Sequence, residues 1–194
     1  MKPKPWPRRD RRLLADTNIF ELTGWTARSP RTGEDREVAL IETADWVNVV
    51  ALTDELDVVL VEQYRHGIDA VTLEIPGGLV DAGESAEEAA VRELREESGF
   101  TGHTVTELGV VEPNPAFLDN LCSTYLVEGC RRTHDLDLDE GEDIVVRSLP
   151  LREIPEAISR GQIRHALVIC GFWWLALRRP DLLSLPVPSR PEAP

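Results

Sequence analysis

The sequence is poor in cysteine and contains no long apolar run. Its three cysteines, Cys122, Cys130 and Cys170, are odd in number and lack the spacing of a metal site. We therefore expect free thiols in a reducing compartment and a cytoplasmic location. Residues 1–12, MKPKPWPRRDRR, contain no apolar h-region, which argues against a secretory signal. The longest apolar stretch, 166–177, is too short to span a bilayer, so we expect no membrane partner.

Basic side chains are also scarce relative to acidic ones. The chain of 194 residues has 21 Lys and Arg against 35 Asp and Glu, which gives a net charge of −14. This balance argues against general affinity for nucleic acid or for an anionic membrane. An acidic enzyme still binds a phosphorylated substrate when metal cations lie between the two sets of negative charges.

The secondary-structure pattern is that of one layered domain. Runs rich in Val, Leu, Ile and Thr predict strands at 46–54, 56–65, 70–76, 122–129 and 142–149, with weaker extended patterns at 19–26 and 37–42. Helical patterns cover 85–98, 155–160 and 163–179. Strands around one central helix, with more helix at the end, predict an α+β or α/β/α layered domain.

The domain boundaries follow from the same pattern. We place the main domain at 45–180, a β-rich segment with a loose proline- and arginine-rich arm at 1–44, and a flexible tail at 181–194. Trp173 and Trp174 lie in the closing helix and are interpreted as packing residues.

The stretch 77–100, GGLVDAGESAEEAAVRELREESGF, combines a turn with a capped helix. Ser85 and Glu88 form a capping-box pattern at the start of this helix. Gly99 has the position of a C-terminal glycine stop. The helical period turns Val91 and Leu94 towards a core.

Three carboxylates crowd one side of the same helix. Glu93, Glu96 and Glu97 fall within an arc of roughly 100°. Like charges at these spacings repel by about 0.2–0.5 kcal/mol per pair. A solvated face in which Arg92 pairs with Glu88 and Glu96 explains part of the pattern, but it leaves Glu93 and Glu97 unneutralised. A bound divalent cation explains the whole cluster, and spacing alone favours neither interpretation.

The full pattern of this stretch resembles a family signature. It reads Gly78, five residues, Glu84, seven residues, then RELREESGF over 92–100. The pattern resembles the signature of the Nudix hydrolases at every fixed position. The resemblance implies the Nudix fold, an α/β/α sandwich with a mixed sheet. It also implies hydrolysis of a nucleoside diphosphate linked to another moiety, with Mg²⁺ or Mn²⁺ as cofactor.

The resemblance also implies roles for single residues. The implied metal ligands are the carboxylates of Glu93, Glu96 and Glu97 and the backbone carbonyl of Gly77, with Glu96 also a catalytic candidate. The implied structural residues of the motif are Gly78, Glu84, Arg92 and Gly99.

Flanking segments resemble the ADP-ribose pyrophosphatases and related nucleoside diphosphate sugar hydrolases, from about Trp46 to Leu177. LVEQYR resembles the strand that leads to their substrate arginine, here Arg65, and LEIPGG leads from Glu74 into the motif. Pro115 stands sixteen residues after Gly99, where this branch has proline. These matches imply that Arg65, Glu74 and Pro115 bind substrate, although Arg65 could instead pair with an acidic neighbour.

A late acidic loop completes the expected site. DEGEDIVV resembles the loop that supplies a general base and a further metal ligand in this branch, which implies Glu140 and Glu142 respectively. The plain alternative is a solvated acidic loop. The four histidines show no ligand spacing and are expected to be ordinary.

These resemblances imply hydrolysis of the pyrophosphate bond of ADP-ribose or a related nucleoside diphosphate sugar. The products are a nucleoside monophosphate and a sugar phosphate. Hydrolysis of dinucleoside polyphosphates or nucleoside triphosphates is one alternative, against which Pro115 and the late loop weigh. A noncatalytic sensor of nucleotide sugars is another, against which the intact glutamates weigh.

The N-terminal segment predicts a homodimer. In the ADP-ribose branch, similar strands form a small sheet that crosses to the partner subunit. By this resemblance, Phe20 or Trp25 of 1–44 could stack on the nucleobase bound in the other protomer. The alternative is a monomer in which these strands fold back on their own domain.

Overall fold

The computed structural model describes residues 2–138, 141 and 143–183. Two sheets and three helices make up most of this region. No helix within it has the length and apolar character needed to cross a membrane.

The first sheet contains three antiparallel strands in the order β1-β2-β3. The strands are β1 (Arg8–Asp16), β2 (Phe20–Arg28) and β3 (Asp35–Thr43). The prediction of a loose arm is wrong from Arg8 onward. Here β1 pairs antiparallel with β2, and its arginines also contact carboxylates on β2 and β3. Arg9 Nη2 lies 2.6 Å from Asp35 Oδ2, and Arg11 Nη2 lies 2.6 Å from Glu42 Oε2.

The second sheet is mixed and has the order β11-β5-β4-β9-β8, with β6 paired to β5. Only β4 and β9 run parallel, while the other pairings in this sheet are antiparallel. Its strands are β4 (Trp46–Leu52), β5 (Asp57–Arg65), β6 (Ala70–Glu74), β8 (Thr104–Val111), β9 (Cys122–Glu128) and β11 (Ile144–Pro150). A short pair joins β7 (Phe100–Thr101) to β10 (Arg131–Arg132).

Helices cover both faces of the mixed sheet. They are α1 (Ala86–Ser98), α2 (Ile154–Ser159) and α3 (Ala166–Arg178). Alternate residues of β4 serve the two faces, as the pleat requires. Val49 packs in the cluster under α1, whereas Val50 packs in the cluster with Phe172 of α3. The predicted α/β/α sandwich is therefore confirmed.

One strand is missed and two side-chain predictions are wrong. Strand β8 was not predicted, because Glu107 and Gly109 interrupt its apolar alternation, and the pairing register shifts between them. Val91 is 41% exposed, although Leu94 is buried as expected. Trp173 is 55% exposed, because the core-facing stripe of α3 passes through Val168, Phe172 and Leu175 instead.

Candidate active site

The site is built around Gly77 and Gly78, in the segment between β6 and α1. Two backbone N–H groups of β4 donate hydrogen bonds to the residues that flank Gly77. Val49 N donates to Pro76 O at 2.8 Å, and Val47 N donates to Gly78 O at 2.9 Å. Successive carbonyls of extended backbone point in opposite directions. On this alternation we expect the Gly77 carbonyl to face away from β4, on the side where the Gly77 N–H donates to Glu97 Oε2 at 2.9 Å.

Both glycines are required by close contacts. A Cβ atom on Gly77 would lie 2.2 Å from the backbone oxygen of Val47. A Cβ atom on Gly78 would lie 2.3 Å from Oε1 of Glu93. The turn thus brings one strand edge and one carboxylate of α1 against the same two residues.

The capping predicted for α1 is confirmed. Ser85 Oγ accepts from Glu88 N at 3.2 Å, and Glu88 Oε2 accepts from Ser85 N at 2.8 Å. Gly99 ends the helix with a φ of 74°, in the left-handed region that glycine favours. The two caps fix where α1 begins and ends, and so fix the direction of its glutamates.

The three clustered glutamates of α1, Glu93, Glu96 and Glu97, have different environments. The Glu97 side chain is buried, and its Oε2 accepts from Gly77 N at 2.9 Å. Arg92 Nη1 bridges the other two, lying 2.9 Å from Glu93 Oε1 and 3.2 Å from Glu96 Oε2. Arg92 therefore offsets more of the repulsion on this helix than the sequence indicated.

Arg92 also ties the loop to the helix. It binds Glu84 through two nitrogens, each 3.0 Å from a carboxylate oxygen, and donates to Leu79 O at 2.9 Å. The hydrogen bond from Arg92 lowers the pKa of the Glu84 carboxyl below its usual range. The two residues thus occupy the bracing position that the family resemblance implies.

The donor set fits a hard divalent cation. Glu93, Glu96, Glu97 and the Gly77 carbonyl offer only oxygen, which Mg²⁺ and Mn²⁺ prefer. Within 2–138, 141 and 143–183, no three His, Cys, Asp or Glu side chains form a preformed ion cage. Mg²⁺ does not need one, since it typically uses one or two carboxylates together with waters and substrate phosphates. Glu140 and Glu142, the predicted base and further ligand, lie outside the described residues.

A cavity of about 1030 Å³ opens beside Gly77 and Gly78. One apolar residue of its lining, Ile19, belongs to the N-terminal segment. The other apolar residues of the lining are Trp46, Val47, Ile68, Ala70, Leu79, Ala166 and Leu167. Its polar lining is Asn48, Arg65, Thr72, Glu74, Arg164 and His165. A volume of this order suits a ligand of nucleotide size, with a few polar groups to fix its orientation.

Two of the predicted substrate residues lie in this cavity and contact each other. Arg65 Nε is 3.0 Å from Glu74 Oε1, and Arg65 Nη2 is 2.9 Å from Glu74 Oε2. The third predicted residue, Pro115, lies in the β8–β9 loop and is not part of the lining of this cavity.

Sequence reasoning missed His165 and Asn48. His165 was expected to be ordinary, but its Nδ1 lies 2.8 Å from Glu74 Oε2. The available signal was a histidine at the position where α3 begins, in place of a usual N-cap residue. Asn48 lies within an otherwise apolar strand, and that interruption was its only signal.

The predicted base-stacking residue Trp25 is already engaged within its own chain. Its Nε1 donates to Glu42 Oε1 at 3.2 Å, and the guanidinium carbon of Arg8 lies 5.1 Å from the ring centroid. Arg8 therefore covers one face of the indole, and base stacking would use the other face or require Arg8 to move.

The chain is similar to several characterised proteins. It is 29% identical to the ADP-ribose pyrophosphatase of Bacillus subtilis over 147 residues, which cover 75% of this chain and 80% of that protein. It is 34% identical to the ADP-ribose pyrophosphatase of Mycobacterium tuberculosis over 156 residues, covering 79% and 74% respectively. A crystal structure of an ADP compounds hydrolase superposes with a TM-score of 0.81 at 20% identity, covering 95% of this chain and all of that one, which shows that the fold is shared.

The family assignment rests on the sequence match and on the site together. The profile of the NUDIX domain matches residues 43–170, which include the whole mixed sheet, the capped helix and its glutamates. With one relative at 34% identity over most of both chains, this chain belongs to the NUDIX domain family.

Proposed function

We propose that this protein is a divalent-metal-dependent pyrophosphohydrolase acting on ADP-ribose or a related nucleoside diphosphate sugar. Cleavage of the diphosphate bond would release a nucleoside monophosphate and a sugar phosphate. The observation that carries the proposal is the position of the α1 glutamates, which meet Gly77 and Gly78 at the edge of a nucleotide-sized cavity. The two relatives named ADP-ribose pyrophosphatase support the choice of substrate.

The cofactor site would be formed by Glu93, Glu96, Glu97 and the Gly77 carbonyl. When bound there, Mg²⁺ or Mn²⁺ would neutralise phosphate charge and lower the pKa of a coordinated water. The Gly77 N–H holds Glu97 in one orientation, and Arg92 holds Glu93 and Glu96. The carboxylates are thus positioned before any ligand arrives, as preorganised electrostatic catalysis requires.

Substrate binding would involve the polar lining of the cavity. Arg65 and Arg164 both line the cavity; Glu74 balances the charge of Arg65, so Arg164 adds the net positive charge that suits the diphosphate. Glu74 orients the Arg65 guanidinium through two hydrogen bonds. Glu140 remains our candidate for the general base, with Glu142 as the further metal ligand. Glu96 is the other catalytic candidate, and it is the most exposed carboxylate among the described residues of the site. Side-chain exposure is 24% for Glu96, against 12% for Glu93.

A substrate panel tests this function. Purified protein is assayed with Mg²⁺ or Mn²⁺, and with EDTA, on ADP-ribose, other nucleotide sugars, dinucleoside polyphosphates and nucleoside triphosphates. We expect metal-dependent turnover, with the highest kcat/KM for a nucleoside diphosphate sugar. A higher kcat/KM for a dinucleoside polyphosphate or a nucleoside triphosphate would show that the proposed substrate is wrong. Binding of a nucleotide sugar without turnover would indicate a noncatalytic sensor.

We also propose a cytoplasmic homodimer formed through the N-terminal sheet. Strand β1 is an exposed edge, and Leu13 and Leu14 on it are 52% and 54% exposed. Light scattering should give twice 21.7 kDa, and deletion of 1–44 should give a poorly active monomer. Because Ile19 lines the cavity of its own chain, that deletion also removes one residue of the cavity lining. A fully active wild-type monomer would exclude a site shared between subunits.

A further inference from the structure

Glu74 is a buried anion that is fully occupied by donors. Its side chain is 3% exposed, and it accepts hydrogen bonds from Arg65, Thr72 and His165. Burial by itself raises the pKa of this carboxyl, but the hydrogen bonds from His165, Arg65 and Thr72 outweigh burial and lower the pKa. Glu74 therefore stays ionised and has little capacity to take a proton from water. Its role is to hold the side chains that donate to it in fixed orientations.

The contact with Glu74 fixes the orientation and tautomer of His165. An ionised carboxylate only accepts hydrogen bonds, so His165 Nδ1 must carry the proton in their 2.8 Å contact. The other ring nitrogen, Nε2, is then an acceptor in the neutral imidazole and a donor in the imidazolium. Because the side chain is 38% exposed and lines the cavity, the ring still offers surface to a ligand.

The position of His165 in α3 also indicates a role beyond folding. His165 is the N-cap residue, where Ser, Thr, Asp or Asn normally accept hydrogen bonds from the first turn. Its side chain makes no such bond and reaches Glu74, 91 residues earlier in the chain. A position that departs from a local rule in this way is typically functional or strained.

The cavity holds a second polar group with unused capacity. Asn48 is 8% exposed, and its Nδ2 has no hydrogen-bond partner within the described part of the chain. A buried donor without a partner is unfavourable, but this nitrogen has less than 1 Å² of accessible surface, so it meets a ligand in the cavity only if the Asn48 side chain changes rotamer. Groups that both donate and accept, such as sugar hydroxyls, match the exposed imidazole of His165 on this lining.

We propose that His165 is a substrate-contacting residue that binds a sugar hydroxyl of the substrate through Nε2, with Glu74 holding the ring in place. This inference rests on the proposed function and deepens it, because it assigns part of the sugar recognition to the N-cap residue of α3. Either ribose of ADP-ribose offers the required hydroxyls, so the test includes both products.

The test separates the two ring nitrogens. In His165→Asn the amide nitrogen replaces Nδ1 and keeps the bond to Glu74, but the Nε2 contact is lost. We expect the KM for ADP-ribose to rise roughly tenfold, as for loss of one hydrogen bond, with kcat within about twofold and Tm unchanged. His103→Asn is the matched control, because His103 is exposed and contacts Thr104 outside the cavity, and it should behave as wild type.

Equilibrium titration with AMP and with ribose 5-phosphate then identifies the sugar. His165→Asn should weaken one product roughly tenfold and leave the other unchanged. An unchanged KM for ADP-ribose with unchanged affinity for both products would overturn the inference. An equal loss of affinity for every ligand, together with a lowered Tm, would overturn it as well. Failure of the wild type to hydrolyse any nucleotide sugar would instead refute the proposed function.

Discussion

Alanine at Gly78 should disable the site while leaving the fold intact. A Cβ atom at this position would lie 2.3 Å from Oε1, 2.5 Å from Cδ and 2.8 Å from Oε2 of Glu93. The added Cβ atom would therefore collide with the whole carboxylate group of Glu93, and that group must move away. The backbone itself poses no obstacle, because the φ angle of Gly78 is not positive.

The size of the effect follows from these distances. A carbon–oxygen contact needs about 3.4 Å, so the Glu93 carboxylate has to move by about 1 Å. Misplacement by 1 Å can cost about 10²-fold in rate, and Glu93 is a proposed metal ligand. We therefore expect kcat/KM for ADP-ribose to fall about 10²-fold in Gly78→Ala, with part of the loss recovered at high Mg²⁺.

Gly77→Ala is the informative contrast. Its added Cβ would meet the Val47 backbone oxygen at 2.2 Å, and a strand cannot move aside as a side chain does. Overpacking of this kind costs about 1–3 kcal/mol, or roughly 2–12 °C in Tm for a chain of this size. Differential scanning fluorimetry and a Mg²⁺ titration of turnover should therefore separate the two variants. Wild-type kinetics in Gly78→Ala at every Mg²⁺ concentration would refute the placement of Glu93.

Further predictions concern single side chains. Glu97→Gln keeps an acceptor for the Gly77 N–H but loses the charge, so a near-normal Tm with turnover lower by several orders of magnitude is expected. Glu140→Gln should lower kcat roughly 10²–10⁴-fold with little change in KM, and wild-type rates would move the base elsewhere. A hydrogen bond from a neighbouring arginine lowers the pKa of Glu42 to about 2, below its usual value of about 4.3. Its stabilising contribution is complete above about pH 5 and is lost as the pH falls from about 4 to 2, and Glu42→Gln should flatten the Tm profile in that window. Burial raises the pKa of Cys122 and Cys130 to about 12, so iodoacetamide at pH 8 should leave both unlabelled in the folded protein.

The local sequence was sufficient to predict the centre of the molecule. The caps of α1 were readable because Ser85, Glu88 and Gly99 act through contacts within a few residues. The α/β/α layers could be predicted because apolar runs alternate with helical periods. Adjacent residues of β4 then pack into the hydrophobic clusters on opposite faces of the mixed sheet. The family resemblance added the metal ligands, which spacing alone left open between a site and a solvated face.

The parts that sequence reasoning missed depend on distant contacts. Strand β1 pairs with β2, and its arginines contact carboxylates on β2 and β3, although its own composition is that of a loose arm. His165 becomes part of the cavity only when α3 packs beside the end of β6, where it meets Glu74. Asn48 is significant only because the folded chain leaves its amide nitrogen without a partner in the described region. None of these contacts leaves a periodic signal in the sequence.

Product analysis with ADP-ribose tests the central claim most directly. Wild-type protein and Glu97→Gln are incubated with ADP-ribose and Mg²⁺, with and without EDTA, and AMP and ribose 5-phosphate are quantified by chromatography. The account predicts equal amounts of the two products from the wild type with Mg²⁺, and almost none with EDTA or from Glu97→Gln. Intact ADP-ribose after incubation of the wild type with Mg²⁺ or Mn²⁺, or wild-type rates in Glu97→Gln, would contradict it.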